Sequence, residues 1–179
     1  MFKKVLLAFV IAVGILLAMI ALQPATYAVT RSATIAAPPA AVFGYVNDFH
    51  QWERWSPWAK IDPAMKQTYE GPAAGTGAVY KWSGDDKAGA GIMTIIDSRP
   101  NERVAIDLAF TRPYASTCVI ALDIRPDGSG SMVTWNMTGR NNFALKAISL
   151  FSSMDKMVGP DFERGLAQLR SLAESSGRQ

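Results

Sequence analysis

Cysteine and histidine are nearly missing from this chain: its 179 residues hold one of each, Cys118 and His50. A single cysteine excludes an internal disulfide, and one cysteine with one histidine excludes a Cys/His metal centre, so no metal or cofactor is expected. Charge is also scarce, at 18% of residues against 49% hydrophobic, a balance that excludes a disordered chain. Of the formal +3, two charges are Lys3 and Lys4, which leaves +1 on everything else. No dense Lys/Arg patch remains, so nucleic acid is not an expected partner. A Gly-x-Ser-x-Gly elbow and a phosphate loop are both absent, and no catalytic constellation is visible. His50 has no evident orienting partner, which acid–base catalysis requires. Nothing in the pattern demands more than a monomer.

What is present begins with an uncharged apolar run from Val5 to Leu22, behind Lys3 and Lys4. As a helix it reaches about 27 Å, close to the hydrocarbon thickness of a bilayer. Residues 1–24 are therefore expected to be a retained membrane anchor. The alternative is a signal peptide cut at the small-residue site Thr26-Tyr-Ala28. The run is long for a signal peptide, and cleavage after Ala28 would remove the start of an alternating strand from Tyr27. The two lysines favour a cytoplasmic N-terminus. The expectation is a single-pass protein of a bacterial inner membrane, with residues 25–179 on the periplasmic side; a secreted product is the alternative.

Beyond Pro24 the pattern changes. A first strand, about Tyr27–Ala36, ends at Ala37-Pro-Pro39, and Pro39 suits the first turn of a helix. Ala41, Val42, Tyr45 and Val46 give helical spacing to about Asn47. Three of the five tryptophans, Trp52, Trp55 and Trp58, follow within a few residues, in a second short helix or turn broken by Pro57. Six stretches then alternate apolar and polar, with hairpin-length connections: Lys66–Glu70, Gly77–Trp82, Ala88–Ser98, Glu102–Phe110, Ser116–Arg125 and Ser131–Thr138. That is an antiparallel sheet with one buried face. Leu150, Met154, Met157, Val158, Phe162, Leu166, Leu169 and Leu172 then follow a 3.6-residue period, which predicts a long covering helix. Pro160 predicts a kink or break within it.

Certain motifs carry a resemblance: Asn47-Asp48-x(3)-Trp52-x-x-Trp55-Ser-Pro-Trp58, Gly77-Ala-Val-Tyr-Lys-Trp-Ser-Gly84, Gly130-Ser-Met-Val-Thr-Trp-Asn-Met-Thr-Gly139, and a helix ending Asp161-Phe-Glu-Arg-Gly-Leu-Ala-Gln-Leu169. With the order strand, two short helices, six strands and long helix, the chain resembles the SRPBCC superfamily (START-like, polyketide cyclase/dehydrase-like) over about Tyr27–Glu174. The resemblance implies an α+β helix-grip fold, a curved antiparallel sheet of about seven strands around a C-terminal helix. It also implies a cavity for an apolar ligand.

Tyr80, Trp82 and Trp135 alternate with polar neighbours in the strands, and on a concave face they would line that cavity with a few fixed polar contacts. Phe110 shares the inward register of its strand. Trp55 and Trp58 serve either as a plug at one end of the sheet or as an entrance wall, with Trp58 the nearer to the entrance. Arg112, after the Phe110 strand, could reach the mouth and pair with an acidic headgroup. The expected function is binding of a hydrophobic small molecule or lipid. The alternatives are a cyclase/dehydrase-like enzyme using His50, Tyr80 or Arg112, and a ligand-free interaction module.

Overall fold

The computed structural model describes residues 1–176. Helix α1 (Phe2–Ala21) is apolar after Lys3 and Lys4 and almost wholly exposed, with only Ile20 buried. It is long and apolar enough to cross a membrane. Four residues later the chain enters β1 (Thr26–Ile35), then α2 (Pro39–Val46), which starts on the proline. A 3-10 helix (Phe49–Arg54) follows, capped by the Asp48 carboxylate, which accepts from the His50 amide at 2.8 Å. The tryptophan segment thus divides between this helix and the turns after it.

Strands β2 (Lys66–Glu70), β3 (Val79–Ser83), β4 (Ala90–Arg99), β5 (Arg103–Arg112), β6 (Ser116–Asp127) and β7 (Gly130–Arg140) complete one curved antiparallel sheet, in the order β1-β7-β6-β5-β4-β3-β2. Every expected strand is present, with ends shifted by no more than two residues. The period-two reading also holds: Val104, Ile106 and Leu108, with Ile120, Leu122 and Ile124 beside them, are buried on one face. One row across the sheet pairs Arg31 with Trp135, Trp135 with Leu122, and Leu122 with Val104.

Helix α4 (Met154–Ser176) lies in the grip of the sheet and runs alongside β1. Phe162, Leu166, Leu169 and Ala173 are its buried stripe. Fully burying a Phe or Leu side chain contributes about 1.5–3 kcal/mol, so this stripe holds the cover down. Two expectations about the helix are corrected. Pro160 does not break it: the helix is continuous through the proline, whose ring is exposed in the second turn between buried Gly159 and Phe162. Leu150 is not part of it. A separate short helix α3 (Phe143–Ser149) precedes α4, with Leu150 as its C-cap and the Asn142 side chain accepting from the Leu145 amide at its N-terminus.

The first turn of α4 is tied to the sheet by charge. Arg31 lies in the inward register of β1 with Tyr27, Val29, Ala33 and Ile35. Its guanidinium pairs with Asp155 and Glu163, each at 2.7 Å. Gly159 makes room for it, since a Cβ there would run into the Arg31 side chain.

Candidate functional site

The aromatic residues form one continuous cluster. Trp135 is fully buried and stacks on Phe162 of α4, with centroids 4.3 Å apart and planes 11° apart. Trp52, Trp55 and Trp58 meet it edge-on at 6.2, 5.4 and 5.8 Å. Gly165 allows this stack: a Cβ there would sit 2.7 Å from Trp135 and 3.1 Å from Pro57. The indole N–H of Trp52 donates to the Val46 carbonyl and that of Trp55 to the Tyr45 carbonyl, both at 3.1 Å. These two side chains bolt the 3-10 helix to α2. The buried indole N–H of Trp135 has no partner among the described residues.

Beyond this plug the fold forms a partly open cavity of about 290 Å³. Its floor is Met93, Leu108, Ile120 and Met137, from four adjacent strands. One wall is Tyr69, Tyr80, Trp82 and Phe110; the opposite wall is Met154, Val158 and Phe162 of α4 with Leu145 of α3. Trp58, Ile61 and Met65 bound a third side, and Lys87 and Ala88 of the β3–β4 turn stand at the rim. The volume is at the lower end of the ~300–1,000 Å³ range of ligand pockets, and the lining has their usual character, apolar and aromatic with few polar groups.

Local chemistry fixes the aromatic wall. Tyr80 and Trp82 are two residues apart on β3, so both face inward and stack 14° apart. Trp82 donates to the Ala88 carbonyl at 3.0 Å and meets Phe110 edge-on. A register shift between Ala90 and Gly91 and the missing side chain at Gly91 leave room for its ring. Burial, with Tyr69 and Glu53 nearby, pushes the Tyr80 hydroxyl up to about 12. At neutral pH it is a neutral hydroxyl, able to donate or accept a hydrogen bond but not to act as a phenolate. It has no protein partner among the described residues.

Of the residues singled out in the sequence, Tyr80, Trp82, Phe110 and Trp58 come together at the cavity. Trp55 and Trp135 do not line it: both are fully buried in the plug. The expectation that indole N–H groups would serve a ligand is corrected at Trp82, whose donor is satisfied by the Ala88 carbonyl, and at Trp135, which lies off the cavity. Arg112 does not line the cavity either. It is exposed and donates to Ser83 Oγ and the Gly84 carbonyl, tying β5 to the β3–β4 turn. His50 lies outside, its Nδ1 2.8 Å from Asp48 and its ring stacked on Tyr69. Sequence reasoning missed Tyr27, Tyr69, Leu145 and the methionines of the lining. For Leu108, Ile120 and Met137 the signal was present, as the inward register of their strands. Leu145 gave none, because α3 carries no periodic pattern long enough to read. Cys118 is buried beside Tyr27, and burial raises its thiol to about 11.

With this geometry the comparisons agree. The chain belongs to the polyketide cyclase / dehydrase and lipid transport family, whose model matches residues 26–174. No curated protein matches it in sequence. Among solved structures it is similar to protein MLL2253 from Mesorhizobium loti (14% identity, TM-score 0.61, covering 83% of this chain and 98% of that one). It is also similar to the Mll3558 protein from Rhizobium loti (19%, 0.60, 82% and 96%) and to the Aha1 dimer from Colwellia psychrerythraea (13%, 0.59, 83% and 96%). At these identities the likeness is one of fold.

Proposed function

We propose that this protein is a membrane-anchored binder of a compact hydrophobic molecule or lipid, held between the sheet and α4. Residues 1–24 act as the anchor and residues 25–179 as the ligand-binding domain, on the periplasmic side of a bacterial inner membrane. The carrying observation is the apolar cavity with a stacked Tyr80–Trp82 wall and a Tyr80 hydroxyl that has no partner among the described residues. Transfer of apolar surface from water contributes about 25 cal/mol per Å², before the losses of association. The hydroxyl would supply orientation.

Retention of α1 has its own support. Cleavage after Ala28 would strip Thr26, Tyr27 and Ala28 from β1, where they pair with Arg140, Gly139 and Thr138, and Tyr27 is part of the cavity lining. An immunoblot for size, with alkaline carbonate washing, tests this: full-length protein resisting extraction is expected, and a shortened soluble product would refute it. Native mass spectrometry of the full-length chain tests ligand binding, with a discrete small-molecule adduct expected.

The enzyme alternative rests on Tyr80, the one of its three candidates at the cavity. Tyr80→Phe separates the readings. Binding in the proposed role loses one hydrogen bond, about 0.5–1.5 kcal/mol or up to roughly tenfold in affinity. Abolished turnover of a polyketide-like substrate, with binding kept, would favour the enzyme.

A further inference from the structure

Helix α3 buries none of its residues. Its sequence, Phe-Ala-Leu-Lys-Ala-Ile-Ser, is apolar apart from Lys146 and Ser149. Leu145 points into the cavity, Phe143 is exposed on the opposite side, and Ile148, one turn beyond Leu145, is exposed at the edge of that face, with Ala144 and Ala147 between Phe143 and Ile148. Phe151, just beyond the helix, is 88% exposed, and Tyr114 in the β5–β6 turn is 63% exposed. That turn is joined to α3 by the Asn142 side chain, which donates to the Ala115 carbonyl. A seven-residue helix does not hold itself together in water and needs something to pack on.

What covers this face is indicated by α1. The last turn of α1 lies against α3, where Ile20 becomes its one buried residue. Lys146 Nζ donates to the Ala21 carbonyl at 3.1 Å, and Asn141 donates to the Pro24 carbonyl at 3.0 Å. Only Leu22–Ala25 separate α1 from β1, a tether of about 14 Å when fully extended. If α1 spans a bilayer, the exposed face of α3 cannot leave the headgroup region.

We propose that α3, with Phe151 and Tyr114, is an interfacial membrane-docking element that seats the lipid-binding fold on the bilayer surface and holds the cavity's α3 side against it. The occupant is a lipid bilayer. The side chains fit it, with Phe and Ile to enter the acyl boundary to ~5–10 Å, Tyr at headgroup depth, and exposed Arg112 and Arg140 nearby for lipid phosphates. The same helix then has one side chain in the cavity and an opposite face in lipid, so a ligand could pass beneath α3 without crossing water. This rests on the anchor reading of α1.

The test uses the full-length chain in phosphatidylcholine/phosphatidylglycerol vesicles. Phe151→Cys and Ile148→Cys each carry an environment-sensitive nitrobenzoxadiazole label; buried Cys118 stays unlabelled. Asp127→Cys, exposed in the β6–β7 hairpin, is the control. The expected result is blue-shifted emission, quenched by nitroxide lipids, at 151 and 148 but not at 127. Water-like emission at 151 and 148 in vesicles that retain the protein through carbonate would overturn docking while leaving the anchor intact. Protein washed out by carbonate would overturn both. An interface with another protein on this face would likewise leave the labels water-like in pure lipid.

Discussion

Single side chains decide which aromatics are structural and which face the cavity. Trp135 and Trp82 have the same sequence signature, a tryptophan in an alternating strand, yet one is the centre of the plug and the other a cavity wall. Alternation gives the face of a strand but not the position along the concave surface, and that position is set by what α4 covers. Gly165 is the residue on which the plug depends. Gly165→Val is expected to destabilise the fold by about 1–3 kcal/mol through overpacking against Trp135 and Pro57, read as a lower urea midpoint with an unchanged slope. Cys118 provides a second check. A thiol raised from 9.0 to about 11 has roughly a hundredfold less thiolate at pH 8. Its alkylation in the folded protein is expected to be at least that much slower than in guanidinium; equal rates would contradict the buried placement.

Among the elements, the seven strands were legible because each repeats a two-residue pattern long enough to exceed noise. The body of α4 was legible by its 3.6-residue stripe. The short helix α3 was not, for its seven residues make only about two turns and it owes its shape to its neighbours. Pro160 misled for a related reason: propensity argues for a break, but packing on both sides of the proline outweighs it. Arg31 was readable as a charge within an apolar register, and the structure gives the cause in Asp155 and Glu163. Hydrogen bonds and charge from Arg31 depress the Asp155 carboxyl below its ordinary value. With the folded value lowered, the attachment is present above the ordinary carboxylate range and lost as pH falls through the depressed one. Protection of the amides in the first two turns of α4, taken relative to the intrinsic exchange rate at each pH, is therefore expected to fall on acidification, and Arg31→Met should lower it already at neutral pH. Unchanged protection at both pH values would show that the ion pairs do not secure this end of α4.

For the whole molecule, the fold was readable almost entirely from the sequence, and the cavity only in part. A cavity is the space left by facing surfaces: four of the seven expected residues line it, Trp55 and Trp135 fell in the core, and Arg112 lies on the surface. The arrangement concentrates function at one end: the last turn of α1, the β3–β4 and β5–β6 turns, α3 and the start of α4 gather there, with the plug at the other side of the cavity. The central claim is that the cavity holds an apolar ligand. Val158→Trp, on the partly exposed cavity face of α4, projects a larger ring into that space. Native mass spectrometry of full-length wild type and Val158→Trp, released from the same nonionic detergent, tests the claim most directly. A one-to-one small-molecule adduct on the wild type, lost in the folded variant, is the predicted result; no adduct on either, or the same adduct on both, would contradict it.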